Sequence, residues 1–168
     1  MREMLQAVYG YNAYANGVLL DTVAQLSETQ LQSATPSHES IFRLLYHMLG
    51  VEAFFLARCQ GRPLALERPA PSALGDLRRV WEYTAREAQQ FLSARSDEDL
   101  ASEVVPWSEY PSFHLPMWQL LFQAYNHSHT HRGELSTVLT SLGHPLRIRD
   151  IVIYFGEHRG MAWPFTKP

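Results

Sequence analysis

The chain has 168 residues, 46% of them hydrophobic and 18% charged, which suits one folded domain and excludes a disordered or low-complexity chain. A net charge of −3 with no run of Lys or Arg excludes the basic stripe of a nucleic-acid binder. One cysteine, Cys59, rules out an intrachain disulfide or a cysteine zinc site, and with no long apolar window and no signal-peptide core, a cytoplasmic protein off the membrane is expected.

Residues 3–26 read as a first helix, since Leu5, Tyr9, Asn12, Asn16, Leu19 and Val23 recur near the helical period. Thr35, Pro36 and Ser37 mark a connection, because proline forbids a helix running straight through. A second helix is expected over residues 37–60, stopped by Gly61 and Pro63. Its apolar stripe is Ile41, Leu44, Leu45, Met48, Val51, Phe54 and Phe55. His47 sits on the edge of that stripe, where a buried imidazole must find a partner. Residues 61–71 are proline-rich and irregular, and a third helix spans 72–94 with Leu77, Val80, Trp81, Thr84, Ala88 and Phe91 inward. Ser96, Asp97, Glu98 and Asp99 end it and can cap a short turn. Residues 103–107 and 110–113 suggest a short hairpin, although Pro106, Pro111 and Pro116 argue against a full sheet. A fourth helix over 115–142 ends at Gly143, and a short amphipathic stretch at 150–158 follows. Four long amphipathic helices with little strand signal predict an all-α four-helix bundle with a short extra C-terminal helix, one domain over residues 1–168.

The fourth helix carries Asn126-His127-Ser128-His129-Thr130-His131-Arg132-Gly133-Glu134. With about 100° per residue and Trp118 at zero, His127 falls near 180° and His131 near 220°, inside the apolar sector of Met117, Leu120, Leu121, Ala124, Leu135 and Leu139. His129 falls near 20°, with Trp118, Phe122 and Tyr125, and is expected to stay off any metal. Two inward histidines one turn apart, facing His47 on another helix, can offer three imidazole nitrogens to one ion and leave open positions for water or substrate. Zn²⁺, Ni²⁺ and Fe²⁺ all suit imidazole. His38 reads as exposed near a helix start, and His114, His144 and His158 as solvated.

Asn126-His127-x-x-x-His131-Arg132-Gly133, followed by Leu142-Gly143-His144, resembles the signature of the DinB/YfiT-like superfamily. Tyr11-Asn12-Ala13-Tyr14-Ala15-Asn16 in the first helix, and His47 with Glu52 in the second, agree with it. The resemblance implies an up-down-down-up bundle, frequently a homodimer, with a metal held by three histidines that map to His47, His127 and His131. It also implies chemistry on low-molecular-weight bacterial thiols such as bacillithiol or mycothiol. Glu134 stands where glutamine is common and Gln123 where many members have histidine, departures that bear on the surroundings of the metal.

Three functional readings follow. In a metal-dependent S-transferase the ion would present a thiolate to an electrophile, with no protein nucleophile, Cys59 being inert packing. Arg132 would then attract an anionic thiol or make a structural ion pair. In a metal hydrolase Glu52 would act as base, or else support a ligand histidine. In a non-enzymatic bundle the histidines would be structural. Homodimerisation is expected through Trp118, Phe122 and Tyr125 or the aromatic tail at Trp163 and Phe165, and a substrate pocket walled by Trp107 and Tyr110.

Overall fold

The computed structural model describes residues 1–64 and 73–162. Along these residues the chain runs α1 (Arg2–Val23), α2 (Glu28–Leu31), α3 (Ile41–Cys59), α4 (Leu74–Ser93), α5 (Asp97–Ala101), β1 (Glu103–Val104), β2 (Leu115–Pro116), α6 (Met117–Ser141) and α7 (Ile151–Glu157). The protein is all-α, and its four long helices form the bundle. They pack in the ring α1–α4–α3–α6. Helices α1 and α3 thus lie across the bundle from each other, as do α4 and α6. A diagonal step needs a long connection, which is why residues 24–40 and 94–116 carry α2, α5 and the β pair instead of tight turns.

The core is two apolar clusters. One gathers Leu5, Tyr9, Phe55, Leu56, Phe91, Leu92, Leu120 and Leu121; the other gathers Leu19, Leu44, Leu45, Met48, Leu77, Trp81, Leu135 and Leu139. Between them the buried positions turn polar: Asn12 and Asn16 on α1, Glu52 on α3, Thr84 on α4, Ser128 and Arg132 on α6. Glu52 is the keystone of this layer. Its Oε1 accepts from Asn12 Nδ2 and Asn16 Nδ2, both at 2.9 Å, and from Ser128 Oγ at 2.5 Å. Its Oε2 accepts from Trp81 Nε1 at 2.9 Å. One carboxylate on α3 therefore bonds to each of the other three long helices. The same asparagines turn their oxygens to Arg132, whose Nη1 donates to Asn12 Oδ1 at 2.6 Å and Asn16 Oδ1 at 2.7 Å. A buried anion and a buried cation are thus joined through two amides, while Arg132 Nη2 is buried without a hydrogen-bond partner among the described residues.

Helix ends follow the sequence expectation where glycine is needed: Gly61 and Gly143 take φ of 67° and 85° just past α3 and α6. Elsewhere the structure differs. Helix α3 starts at Ile41, not at 37 or 38, because Ser40 is the N-cap, accepting from the Arg43 amide at 3.1 Å. Ser37 and His38 belong instead to a turn closed by Thr35 N to His38 O at 2.9 Å and His38 N to Thr35 Oγ1 at 3.0 Å. Helix α2 was not expected; Ser27 and Gln30 form a capping box inside what reads as connection. Of the expected hairpin only Glu103 and Val104 are strand, paired with Pro116 and Leu115, which read as helix in the sequence. The expected second arm, 110–113, lies in two tight turns closed by Tyr110 N to Trp107 O and Phe113 N to Tyr110 O, and α6 starts at Met117. Residues 65–71 of the proline-rich break, and Trp163 and Phe165, lie outside the described residues. No helix among the described residues is long and apolar enough to cross a membrane.

Helix α7 packs on α1 through the first-helix tyrosines. Tyr154 stacks on Tyr14 at 5.2 Å between ring centres and meets Tyr11 edge-on at 5.5 Å. Gly10 permits this approach: a Cβ there would stand 3.2 Å from the Tyr154 hydroxyl.

Candidate metal centre

Three histidines meet where α3 crosses α6. His47, His127 and His131 each offer a nitrogen, and those nitrogens all lie within 4.8 Å of one another. Nε2 of His47 and Nε2 of His127 are 3.0 Å apart. The helical phase brings this about, since the i, i+4 pair on α6 faces an edge position of α3 while Ser128 and Arg132, one residue on from each, point into the polar layer. His129 lies on the other side, exposed, its ring stacked on Tyr125 at 6.2 Å.

Glu134 prepares His131. Its Oε2 accepts from Nδ1 of His131 at 2.9 Å, which puts the ring proton on Nδ1 and leaves Nε2 as the free donor, the arrangement typical of a metal-ligating imidazole. Burial alone would raise the Glu134 pKa; hydrogen bonds from His131, Thr35 and Ser37 outweigh it and hold the carboxyl down to about 2. The imidazoles themselves are biased to neutrality. Burial lowers His47, with His38 and His131 adding repulsion, and burial with the neighbouring His131 and His47 lowers His127 to about 4. Neutral imidazole is the ligand form. The Nδ1 of His127 is buried without a hydrogen-bond partner among the described residues. Three converging imidazole nitrogens, with one ring already fixed by a carboxylate, are a donor set that fits a divalent ion.

These shifts set a pH dependence. The unfolded chain titrates its histidines near the ordinary 6.5, whereas His127 in the fold binds a proton only near 4. Stability is therefore full above the ordinary value and falls as pH drops through that window, because protons bind the unfolded state first. Urea midpoints of metal-free protein measured from pH 7.5 down to 4 should decline over that window, and His127→Asn should flatten the decline.

The other residues singled out from the sequence are placed as follows. Glu52 lies in the polar layer, 6% exposed, with both oxygens engaged and no hydrogen bond to the three histidines. Arg132 is 4% exposed, in the same layer. Burial lowers its pKa, and Glu52 opposes that. Cys59 is buried, which pushes its thiol up to about 12. Trp107 stacks on Phe54 at 6.1 Å, and Phe54 lines a cavity of about 520 Å³ with His38, Arg43, Tyr46, His47 and Val51, so Trp107 backs this pocket rather than facing it. Tyr110 stands 66% exposed. In the aromatic stripe of α6, Trp118 packs against the core of its own chain, while Phe122 stays 42% exposed beside Tyr125. His38, read as an exposed histidine, is half-buried, its ring centre 4.7 Å from that of His47. Once Ser40 is recognised as the cap, His38 falls in the loop before α3, and that cap was the one signal that could have placed it.

A family model described as "DinB family" matches residues 1–157. A search of curated proteins returns no match. Among solved structures, the crystal structure of a DinB-like protein from Bacillus cereus ATCC 10987 superposes with a TM-score of 0.65 at 17% identity, over 88% of this chain and 95% of that one. At that identity the likeness concerns the fold alone.

Proposed function

The chain belongs to the DinB family, and from that premise we propose that it is a cytoplasmic, metal-dependent S-transferase, acting on a low-molecular-weight bacterial thiol and an electrophile. The observation that carries this reading is an open three-histidine group with no cysteine nucleophile beside it among the described residues. The Cys59 thiol is buried and pushed up to about 12, so it supplies no thiolate. Two carboxylates around the site are committed, Glu52 to Asn12, Asn16, Ser128 and Trp81, and Glu134 to His131 and Ser37, while Glu39, which also lines the cavity, is exposed and 3.9 Å from Arg43. With both committed, transfer is favoured over hydrolysis, for which the exposed Glu39 is the carboxylate left to take a proton from water.

His47, His127 and His131 would hold a divalent ion of the Zn²⁺, Ni²⁺ or Fe²⁺ type. Such an ion, when bound, acidifies a thiol and keeps it as thiolate. The remainder is the work of the chain. Glu134 orients His131, and Val51, Phe54 and Tyr46 line the open cavity beside His47. Overall the thiol gives up its proton to solvent water, a sulfur–carbon bond forms, and the bond to the leaving group breaks with the electron pair departing on that group. Arg132, buried in the polar layer, is assigned a structural role. The exposed Phe122 and His129 on α6, with the half-buried Tyr125 between them, are the face proposed for a homodimer.

The test is conjugation of monochlorobimane with bacillithiol or mycothiol by protein loaded with Zn²⁺ or Ni²⁺. Turnover that disappears with chelator and in His127→Ala is expected. A protein that holds metal yet turns over no thiol would end the transferase reading.

A further inference from the structure

Donor counting fixes the ring protons around Glu134. Its carboxylate accepts from the Ser37 amide at 3.0 Å, the Ser37 hydroxyl at 2.8 Å and His131 Nδ1 at 2.9 Å. An ionised carboxylate has no proton to give. The Ser37 hydroxyl owns one proton, committed to Glu134, so in its 2.7 Å contact with His38 Nδ1 the hydroxyl accepts and the ring donates. His38 therefore carries its proton on Nδ1 and keeps the Nε2 lone pair free. One carboxylate holds two imidazoles in the ligand tautomer, His131 directly and His38 through Ser37.

The spacing agrees. Ring centres within the triad are 4.8, 5.3 and 4.5 Å apart, and His38 lies 4.7 Å from His47 and 5.7 Å from His131. Two imidazoles bonded to one ion at about 2.1 Å have ring centres roughly 5 Å apart. His38 thus stands at ligand spacing from two of the three. With His47 it lines the cavity on the open side of the group. It makes no ring contact with His127 and its nitrogens lie outside the 4.8 Å grouping, so reaching a shared ion takes a further inward movement of its ring.

We propose that His38 is a fourth imidazole ligand, joining the three-histidine group from the turn before α3 to hold an ion that keeps a further position for the thiol. The proposal rests on reading His47, His127 and His131 as metal ligands. It gives Glu134 a second task, that of tying the turn carrying His38 to α6.

Zn²⁺ titration and the visible spectrum of the Co²⁺-loaded protein test it together. His38→Ala should weaken Zn²⁺ binding by about tenfold or more, and should change the position and intensity of the Co²⁺ bands while circular dichroism stays the same. Ser37→Ala, which keeps the imidazole and removes its anchor, should weaken binding less and retain the wild-type bands at saturation. If His38→Ala matches the wild type in affinity and spectrum while His127→Ala loses the metal, this proposal alone is overturned. If the wild type takes up neither ion, the metal reading beneath it falls and the proposal falls with it.

Discussion

Replacing Glu52 by alanine is expected to destabilise the protein by about 3–5 kcal/mol, because it leaves the buried Arg132 without its counter-charge. The loss reaches every long helix. Trp81 Nε1, the Asn12 and Asn16 amides and Ser128 Oγ all give up the same acceptor inside the bundle, and each buried donor left unsatisfied costs roughly 1–3 kcal/mol on its own. These penalties share one network and will not add. Glu52→Gln should also be damaging, since an amide nitrogen would be turned toward donors. Thermal unfolding should show Tm lower by roughly 10 °C for Glu52→Ala. A partial recovery is expected on combining it with Arg132→Met, which removes the stranded cation. A loss below about 1 kcal/mol in the single variant would contradict the keystone role.

The second large effect is metal-linked stability. A ligand that binds only the folded state adds about 2.7 kcal/mol at a hundredfold excess over its dissociation constant. Wild-type protein with Zn²⁺ or Ni²⁺ should therefore gain a Tm increment that His47→Ala, His127→Ala and His131→Ala each abolish. His129→Ala is the internal control: it removes a neighbouring histidine whose ring lies on Tyr125, and it should keep the full increment. An increment lost in His129→Ala and kept in His127→Ala would reverse the helical phase on which the site depends.

Much of this was legible from periodicity. Apolar spacing placed four long helices, and the phase of α6 separated His127 and His131 from His129, although those two histidines are half-buried at the edge of the core face and the fully buried positions are Ser128 and Arg132. Glycines at 61 and 143 announced their helix ends, because only positive φ continues the chain there without strain. What periodicity conceals is which polar residues are buried together. Asn12 and Asn16 lie on an apolar face at i, i+4, and Arg132 follows a metal-facing histidine, yet each looks ordinary until Glu52 is seen to accept from three other helices. His38 was missed for a related reason. Ser37 looked like a helix start, whereas its hydroxyl is spent on Glu134 and the cap is Ser40, so the turn is set by a residue far along the chain. Long-range side-chain bonds leave no local pattern, and the short β pair, two residues a side, leaves almost none.

The central claim is that His47, His127 and His131 hold one divalent ion. Crystals grown with Zn²⁺ and measured on either side of the zinc absorption edge test it directly. The expected result is a single anomalous peak bonded by Nε2 of all three histidines at about 2.0–2.1 Å. No peak there, with His47 and His127 still in direct contact, or a peak held by His129 in their place, would contradict it.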